Sequence, residues 1–261
     1  MAGKKRIILA HGGAGSESKH SDATELACRL GMELIHVETP VLEVVCRGVE
    51  ILENDPRFNA GTGSRKRSDG SVRMDAACMD SHNRFGGVAG VQHFKHPVYV
   101  AYGVANSQYR VLTGEDALQY GLEIGFETVD MTRVKSYAPN TDTVGCVAFD
   151  GDQFAAALST GGTGGSRPGR IGDVPLIGCG LYVGPHGAVC ATGHGESITL
   201  NITAYRTYEM LMQGIDPHEA LATALSWFEK TEDAGLLIVN REGYAAGCNR
   251  TMAWSVLTEE D

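Results

Sequence analysis

Apolar and polar positions along the chain fall into blocks of two periods. Arg6 to Ala10 is a short continuous apolar run, stopped by His11-Gly12-Gly13-Ala14-Gly15, and predicts a buried strand. A helix is expected from Asp22 to Ile35. Thr39-Pro40 then supplies an N-cap followed by proline at the first helical position. Val41, Val44, Val45, Val49 and Leu52 recur at helical spacing, so this second helix buries one face and ends near Asn54-Asp55-Pro56. Val72 to Met79, Gly87 to Phe94 and Val98 to Gly103 alternate or run apolar, and predict strands. Thr113 to Gly125 predicts a helix closed by glycine, and Thr132 to Asp142 a loop or linker.

The second half opens with two expected strands, Thr143 to Phe149 and Phe154 to Thr160, joined at the hairpin signal Asp150-Gly151-Asp152. A glycine-rich stretch covers Gly161 to Gly180, and Val189 to Thr192 is another expected strand. Helices follow over Ile198 to Gln213 and Pro217 to Thr231, the second capped by Asp216. Leu236 to Asn240 and Tyr244 to Gly247 close the chain as a hairpin. Helices and strands come in blocks rather than in βαβ alternation. The pattern predicts an α+β fold of stacked antiparallel sheets with helices outside, with no repeat and no interdomain linker.

Composition narrows the functional classes. The 261 residues, 43% hydrophobic, are enough for one large core. A net charge of -10 and the absence of a long basic run exclude a nucleic-acid partner; Arg65-Lys66-Arg67 reads as a solvated loop. No segment approaches the ~20 apolar residues of a membrane span. The basic N-terminus precedes an apolar run too short for a signal peptide, and seven cysteines contain no C-x-x-C pair, so a cytoplasmic chain with reduced thiols is expected. His93-x-x-His96 lacks a Cys or Glu partner at a metal-site spacing.

The candidate chemistry lies in short motifs. They are Asp142-Thr143-Val144-Gly145-Cys146-Val147-Ala148, Ser159-Thr160-Gly161-Gly162, Pro168-Gly169-Arg170-Ile171-Gly172-Asp173-Val174-Pro175 and Thr192-Gly193-His194-Gly195-Glu196. A threonine hydroxyl needs an adjacent base. A threonine made N-terminal carries its own, an α-amine that titrates near ~8. Thr143 begins a strand after a flexible segment, where such an N-terminus would have to arise. Arg170 and Asp173 together suit the carboxylate and ammonium of an amino acid, although a local Arg–Asp pair is the ordinary alternative.

With His11-Gly12-Gly13-Ala14-Gly15 and Phe58-Asn59-Ala60-Gly61, these motifs in this order resemble the plant-type asparaginase and isoaspartyl peptidase family of N-terminal nucleophile hydrolases, over nearly the whole chain. The resemblance implies a four-layer αββα sandwich, cleaved between Asp142 and Thr143 into segments 1–142 and 143–261. It implies Thr143 as nucleophile and Thr160 as its hydrogen-bond partner. Thr192 and Gly193 match the oxyanion hole, whose donors lower a barrier by roughly 3–4 kcal/mol each. Asn59 matches the contact to the nucleophile's amine. Arg170, Asp173 and the Gly195 carbonyl match the anchor of a small β-aspartyl substrate. No catalytic cofactor is implied, but a sodium ion would be held by the backbone carbonyls of Leu52, Glu53, Asp55, Phe58, Ala60 and Thr62. A homodimer of cleaved protomers is also implied.

The chain departs from the family in three places. The segment before Thr143 lacks the family's long polar linker, which implies slower self-cleavage; the chain stops soon after Trp254; and Thr163 to Arg167 differs from the usual pattern. Ammonia, an amino acid or arginine would each fit as the leaving group. The rival readings are a glycosylasparaginase, a protease for one protein partner, and an uncleaved relative that binds amino acids without turnover. Glycosylasparaginases resemble Ser-Thr-Asn-Gly and Thr-Gly-Asn-Gly-Asp at two of the motifs, where this chain has Ser159-Thr160-Gly161-Gly162 and Thr192-Gly193-His194-Gly195-Glu196.

Overall fold

The structure is a computed structural model that describes residues 5–131 and 143–260. Among these, the larger sheet has seven strands in the order β11-β1-β5-β6-β2-β3-β4. In chain order they are β1 (Lys5–Ala14), β2 (Met74–Asp80), β3 (Phe85–Val91), β4 (Val111–Thr113), β5 (Val144–Phe149), β6 (Phe154–Thr160) and β11 (Met252–Glu260). The smaller sheet runs β10-β9-β8-β7, from β7 (Leu181–Gly184), β8 (Gly187–Gly193), β9 (Ala234–Val239) and β10 (Tyr244–Cys248). All pairs are antiparallel except β3 with β4.

The strands carry near-continuous apolar runs because both sheets are covered on both faces. Period-two alternation assigns each residue to a layer. Ile8 and Ala10 of β1, with Cys146 and Ala148 of β5, meet helices α1 (Ser21–His36), α2 (Val41–Glu53) and α3 (Pro97–Ala105). Their neighbours Ile7, Leu9, Val147 and Phe149 face the second sheet, against Leu181, Ala188, Cys190, Leu237 and Val239. The opposite face of the second sheet, Val189, Ala191, Leu236 and Ile238, packs on α5 (Gly195–Asn201), α6 (Thr203–Met212) and α7 (Pro217–Leu225). Three apolar layers between four structural ones make the expected αββα sandwich. The seven cysteines form no disulfide.

Several elements differ from the pattern-based expectation. The glycines after His11 do not stop β1. The strand continues to Ala14 through a register shift opposite β11, and Gly12 serves packing, since a Cβ there would be 2.2 Å from the Phe58 ring. Val98 to Gly103 is not a strand but lies within α3; Pro97 starts that helix, and its burial nearly all round hides the helical period. Pro40, not Thr39, is the N-cap of α2.

The single helix expected over Ile198 to Gln213 is two, broken at Ile202, which sits left-handed at φ 49°. The helix after Asp216 stops at Leu225, and the Asp216 carboxylate caps it by accepting the His218 amide at 2.8 Å. The chain does not close with the β9–β10 hairpin, since β11 returns to pair with β1. β4 and β7 were too short for their pattern to register. The helix α4 (Gly114–Glu123) lies within the expected one, with Thr113 at the N-cap position and no side-chain capping bond. The expected loop over Thr132 to Asp142 lies outside the described residues.

Candidate active site

The end of β5 fixes the candidate nucleophile. Val144 stands opposite Ser159 in the β5–β6 pair, so continuing that register puts Thr143 beside Thr160. Thr143 is 2% exposed. Its carbonyl accepts a hydrogen bond from the Thr192 hydroxyl, at 3.4 Å, and the Thr192 oxygen accepts from the Ala14 amide at 3.2 Å. The Thr160 hydroxyl accepts the Gly162 amide at 2.9 Å, which leaves its own proton to donate. Asn59 is tied down on both sides of its amide. It donates to the Gly162 carbonyl at 2.9 Å and accepts the Arg65 amide at 3.0 Å.

Gly193 must be glycine: its φ is 130°, and a Cβ there would lie 2.0 Å from the Asp233 carbonyl oxygen. His11 lies fully buried under Thr143, paired with Gly145, whose Cβ would be 2.4 Å from Nε2. Its Nδ1 accepts the Gly13 amide at 3.1 Å, which assigns the proton of the neutral ring to Nε2. Burial lowers the His11 pKa to about 3, with the Thr143 backbone opposing this weakly.

The residues expected to form the anchor lie close together. A Cβ on Gly195 would sit 2.7 Å from Arg170 Nη2 and 3.0 Å from Asp173 Oδ1, so the glycine forms a notch bordered by both charges. Arg170 donates Nε and Nη2 to the two carboxylate oxygens of Glu196, at 3.0 and 2.9 Å. The Gly195 carbonyl accepts the Thr199 hydroxyl at 2.8 Å and keeps a second lone pair. Asn59, Arg170, Gly193, Gly195 and Glu196 line one cleft of about 960 Å³, whose outer wall includes Arg65, His194, Asp233 and Arg250.

Two residues here escaped the sequence reading. Arg67 belongs to the basic run read as solvated, yet it is 3% exposed. Its guanidinium fills the space beside Gly162 and donates to the Ser166 hydroxyl at 2.7 Å and the Arg73 carbonyl at 2.9 Å. Asp75, opposite Thr160 in the sheet, is fully buried and accepts the Gly90 amide at 2.7 Å. Burial raises its pKa to about 6, against the pull of the Gly90 amide and Arg67. A single acidic residue inside an apolar strand was the only available signal.

The loop expected to hold sodium folds compactly under Asn59. The Leu52, Asp55 and Ala60 carbonyls accept the Asp55, Phe58 and Gly63 amides at 3.2, 3.2 and 3.0 Å, and Leu52 also accepts the Asn54 amide. The Glu53 carboxylate points away, to His96 Nδ1 and the Val98 amide, both at 3.2 Å. Asp55 is taken by Arg57. The remaining donors are neutral carbonyls, a set that suits a hard monovalent cation. No cluster of three or more His, Cys, Asp or Glu side chains is present among the described residues.

A four-layer αββα sandwich with a buried threonine at the head of a central strand defines the class of N-terminal nucleophile hydrolases. A family profile described as asparaginase matches residues 4–138 and 131–261. An isoaspartyl peptidase/L-asparaginase of Danio rerio is 32% identical over 95% of this chain and 91% of its own. An isoaspartyl peptidase of Salmonella typhimurium is 32% identical over 80% of each. An N(4)-(beta-N-acetylglucosaminyl)-L-asparaginase of Elizabethkingia miricola is 34% identical over 77% of this chain; the match spans 64% of that protein, just under two thirds. The chain belongs to the asparaginase family. None of its described helices is long and apolar enough to cross a membrane.

Proposed function

We propose that the chain is an autoprocessing threonine amidohydrolase that splits β-aspartyl amides, isoaspartyl dipeptides or L-asparagine, to release aspartate. The observation that carries this is the placement of Thr143. It precedes β5 in register with Thr160, and its carbonyl accepts from Thr192, the neighbour of Gly193, which lines the same cleft as Arg170 and Gly195. In processing, the Thr143 hydroxyl attacks the Asp142 carbonyl. The C–N bond breaks, the acyl group moves to oxygen, and the nitrogen becomes a free α-amine. Water then hydrolyses the ester, giving segments 1–142 and 143–261. Asp142 lies outside the described residues.

In turnover the α-amine takes the hydroxyl proton and the oxygen attacks the substrate's β-carbonyl. Thr192 and the Gly193 amide hold the oxyanion, for which the Thr192 hydroxyl must turn from the Thr143 carbonyl. The amine returns its proton to the leaving nitrogen, and water hydrolyses the aspartyl ester. Arg170 holds the α-carboxylate; Asp173 and the Gly195 carbonyl hold the ammonium. Asn59 steadies the new amine. No cofactor enters the chemistry. A sodium ion on the 52–62 loop would brace the floor beneath Asn59, and a homodimer in the cytoplasm completes the reading.

The test is hydrolysis of a β-aspartyl dipeptide by the wild type and by Thr143→Ala. Activity that survives the substitution overturns the nucleophile. A second reading, a glycosylasparaginase-like amidase, is motivated by the printed name of the Elizabethkingia relative. Faster hydrolysis of N-acetylglucosaminyl-asparagine than of β-aspartyl dipeptides would favour it.

A further inference from the structure

We propose that Arg67 is a specificity-determining positioning residue: it fixes the segment from Thr163 to Ser166 as one wall of the cleft, and that wall receives the leaving group of a β-aspartyl peptide. This rests on the β-aspartyl reading of the same cleft. Turn geometry places Arg67. Lys66 and Val72 pair as an isolated bridge, and Arg67 closes the turn between them. Its amide donates to the Ser71 carbonyl at 2.8 Å, and its carbonyl accepts the Gly70 amide at 3.0 Å. Alternation along this short extended stretch exposes Lys66 and Ser68 and turns Arg67 inward. There the guanidinium donates Nη1 to the Ser166 hydroxyl at 2.7 Å and Nη2 to the Arg73 carbonyl at 2.9 Å. Two backbone bonds run alongside, from the Ser68 amide to the Ser166 carbonyl and from the Gly165 amide to the Lys66 carbonyl, both at 2.9 Å. The wall is thus clasped to the turn at 66–73.

The segment needs such a clasp because glycines leave it little to hold itself with. Gly165 is left-handed at φ 70°, and a Cβ there would meet nothing. A Cβ on Gly162 would lie 2.3 Å from Arg67 Nη2, so the guanidinium fills the room that this glycine leaves. The planar fork serves two acceptors in fixed directions, which the single ammonium of a lysine does not. The buried Asp75 carboxyl supplies opposite charge nearby. What the wall meets follows from the space around it. The aspartyl half of a substrate is assigned to Thr143 and to the notch at Gly195, where the nearest side chains are Arg170 and Asp173. Thr163 and Ser166 line the same cleft, whose volume of about 960 Å³ is far more than an aspartyl group fills. Ammonia needs none of the remainder. An amino acid or a peptide does.

The experiment compares wild type with Arg67→Met, Arg67→Lys and Ser166→Ala. It measures kcat and KM for β-aspartyl-leucine and for L-asparagine, and backbone amide exchange by mass spectrometry. Thermal melting checks the fold. For Arg67→Met, the ratio of kcat/KM on the dipeptide to that on asparagine falls about tenfold, through KM. Amides from Thr163 to Ser166 exchange about tenfold faster, while those of β5 and β6 keep their rates. Ser166→Ala moves both readouts the same way by less, and Arg67→Lys falls between wild type and Arg67→Met. An equal loss on both substrates overturns the proposal, because Arg67 would then act through Gly162 on the nucleophile. Unchanged exchange at 163–166 overturns it too, as does a wild type that hydrolyses asparagine but not β-aspartyl-leucine. Wild type that hydrolyses neither sinks the β-aspartyl reading, and the leaving-group role with it; amide exchange then still decides whether Arg67 fixes the wall.

Discussion

The two halves of the candidate site are built by different physics. The nucleophile side is carried on strands. Thr143, Thr160 and Thr192 sit at the ends of β5, β6 and β8, all buried, and hydrogen-bond register places them. The anchor side is carried on a glycine-rich loop and the first turn of α5. Its geometry comes from charge pairs and from glycines that leave room for them. Strand register is inherited from the whole core and resists local change. A loop-borne charge pair is adjustable one residue at a time. On the proposed function, the catalytic step would depend on the sandwich, and the fit to a given head group on the loop.

Substitutions can separate these two halves. The largest effect is expected from Thr143→Ala, which removes both processing and turnover, read by fragment masses and by product release. Thr192→Ala follows. Loss of one oxyanion donor lowers kcat by about 10²–10³, roughly 3–4 kcal/mol, with KM nearly unchanged. Gly195→Ala acts on the other side: its Cβ must displace Arg170 or Asp173, so KM rises on the order of tenfold while kcat is largely kept, measured by steady-state kinetics. If Gly195→Ala instead lowered kcat alone, the division between the two sides would fail.

Acid sensitivity sharpens the strand side. His11 titrates near 6.5 when unfolded and at about 3 in the fold. Between those values the unfolded chain binds the proton and the folded chain does not. Its contribution is therefore intact above pH 6.5 and is lost as pH falls towards 3, at up to about 1.4 kcal/mol per pH unit. His11→Asn keeps an acceptor for the Gly13 amide and flattens that slope in denaturant melts. The smallest effect concerns the loop at 52–62. Exchanging sodium for choline lowers the melting temperature by about 2–4 °C per kcal/mol of ion binding, and no shift would argue against a bound cation there.

The layers were legible in the sequence because burial on both faces of both sheets leaves long apolar strands, as in Phe154 to Thr160, whose limits the structure reproduces. Val98 to Gly103 was misread because a helix buried nearly all round has no polar face to reveal its period. Ile202 was invisible: a β-branched residue in the left-handed region carries no local signature. The threonines, Asn59 and the Arg170–Asp173 loop were legible through motif resemblance; of these, Asn59 and Arg170 line one cleft. Arg67 was not, since nothing in a basic tripeptide says which guanidinium will be buried. Glu196 stood in a quoted motif, but only the fold shows it gripping a residue 26 positions away.

The most direct measurement is the intact mass of freshly purified protein, followed over days at neutral pH beside Thr143→Ala. The account predicts two fragments, 1–142 and 143–261, that accumulate in the wild type and never in the variant. A wild-type chain that stays whole while hydrolysing β-aspartyl amides would contradict it, because the base assigned to Thr143 exists only after that bond is cut.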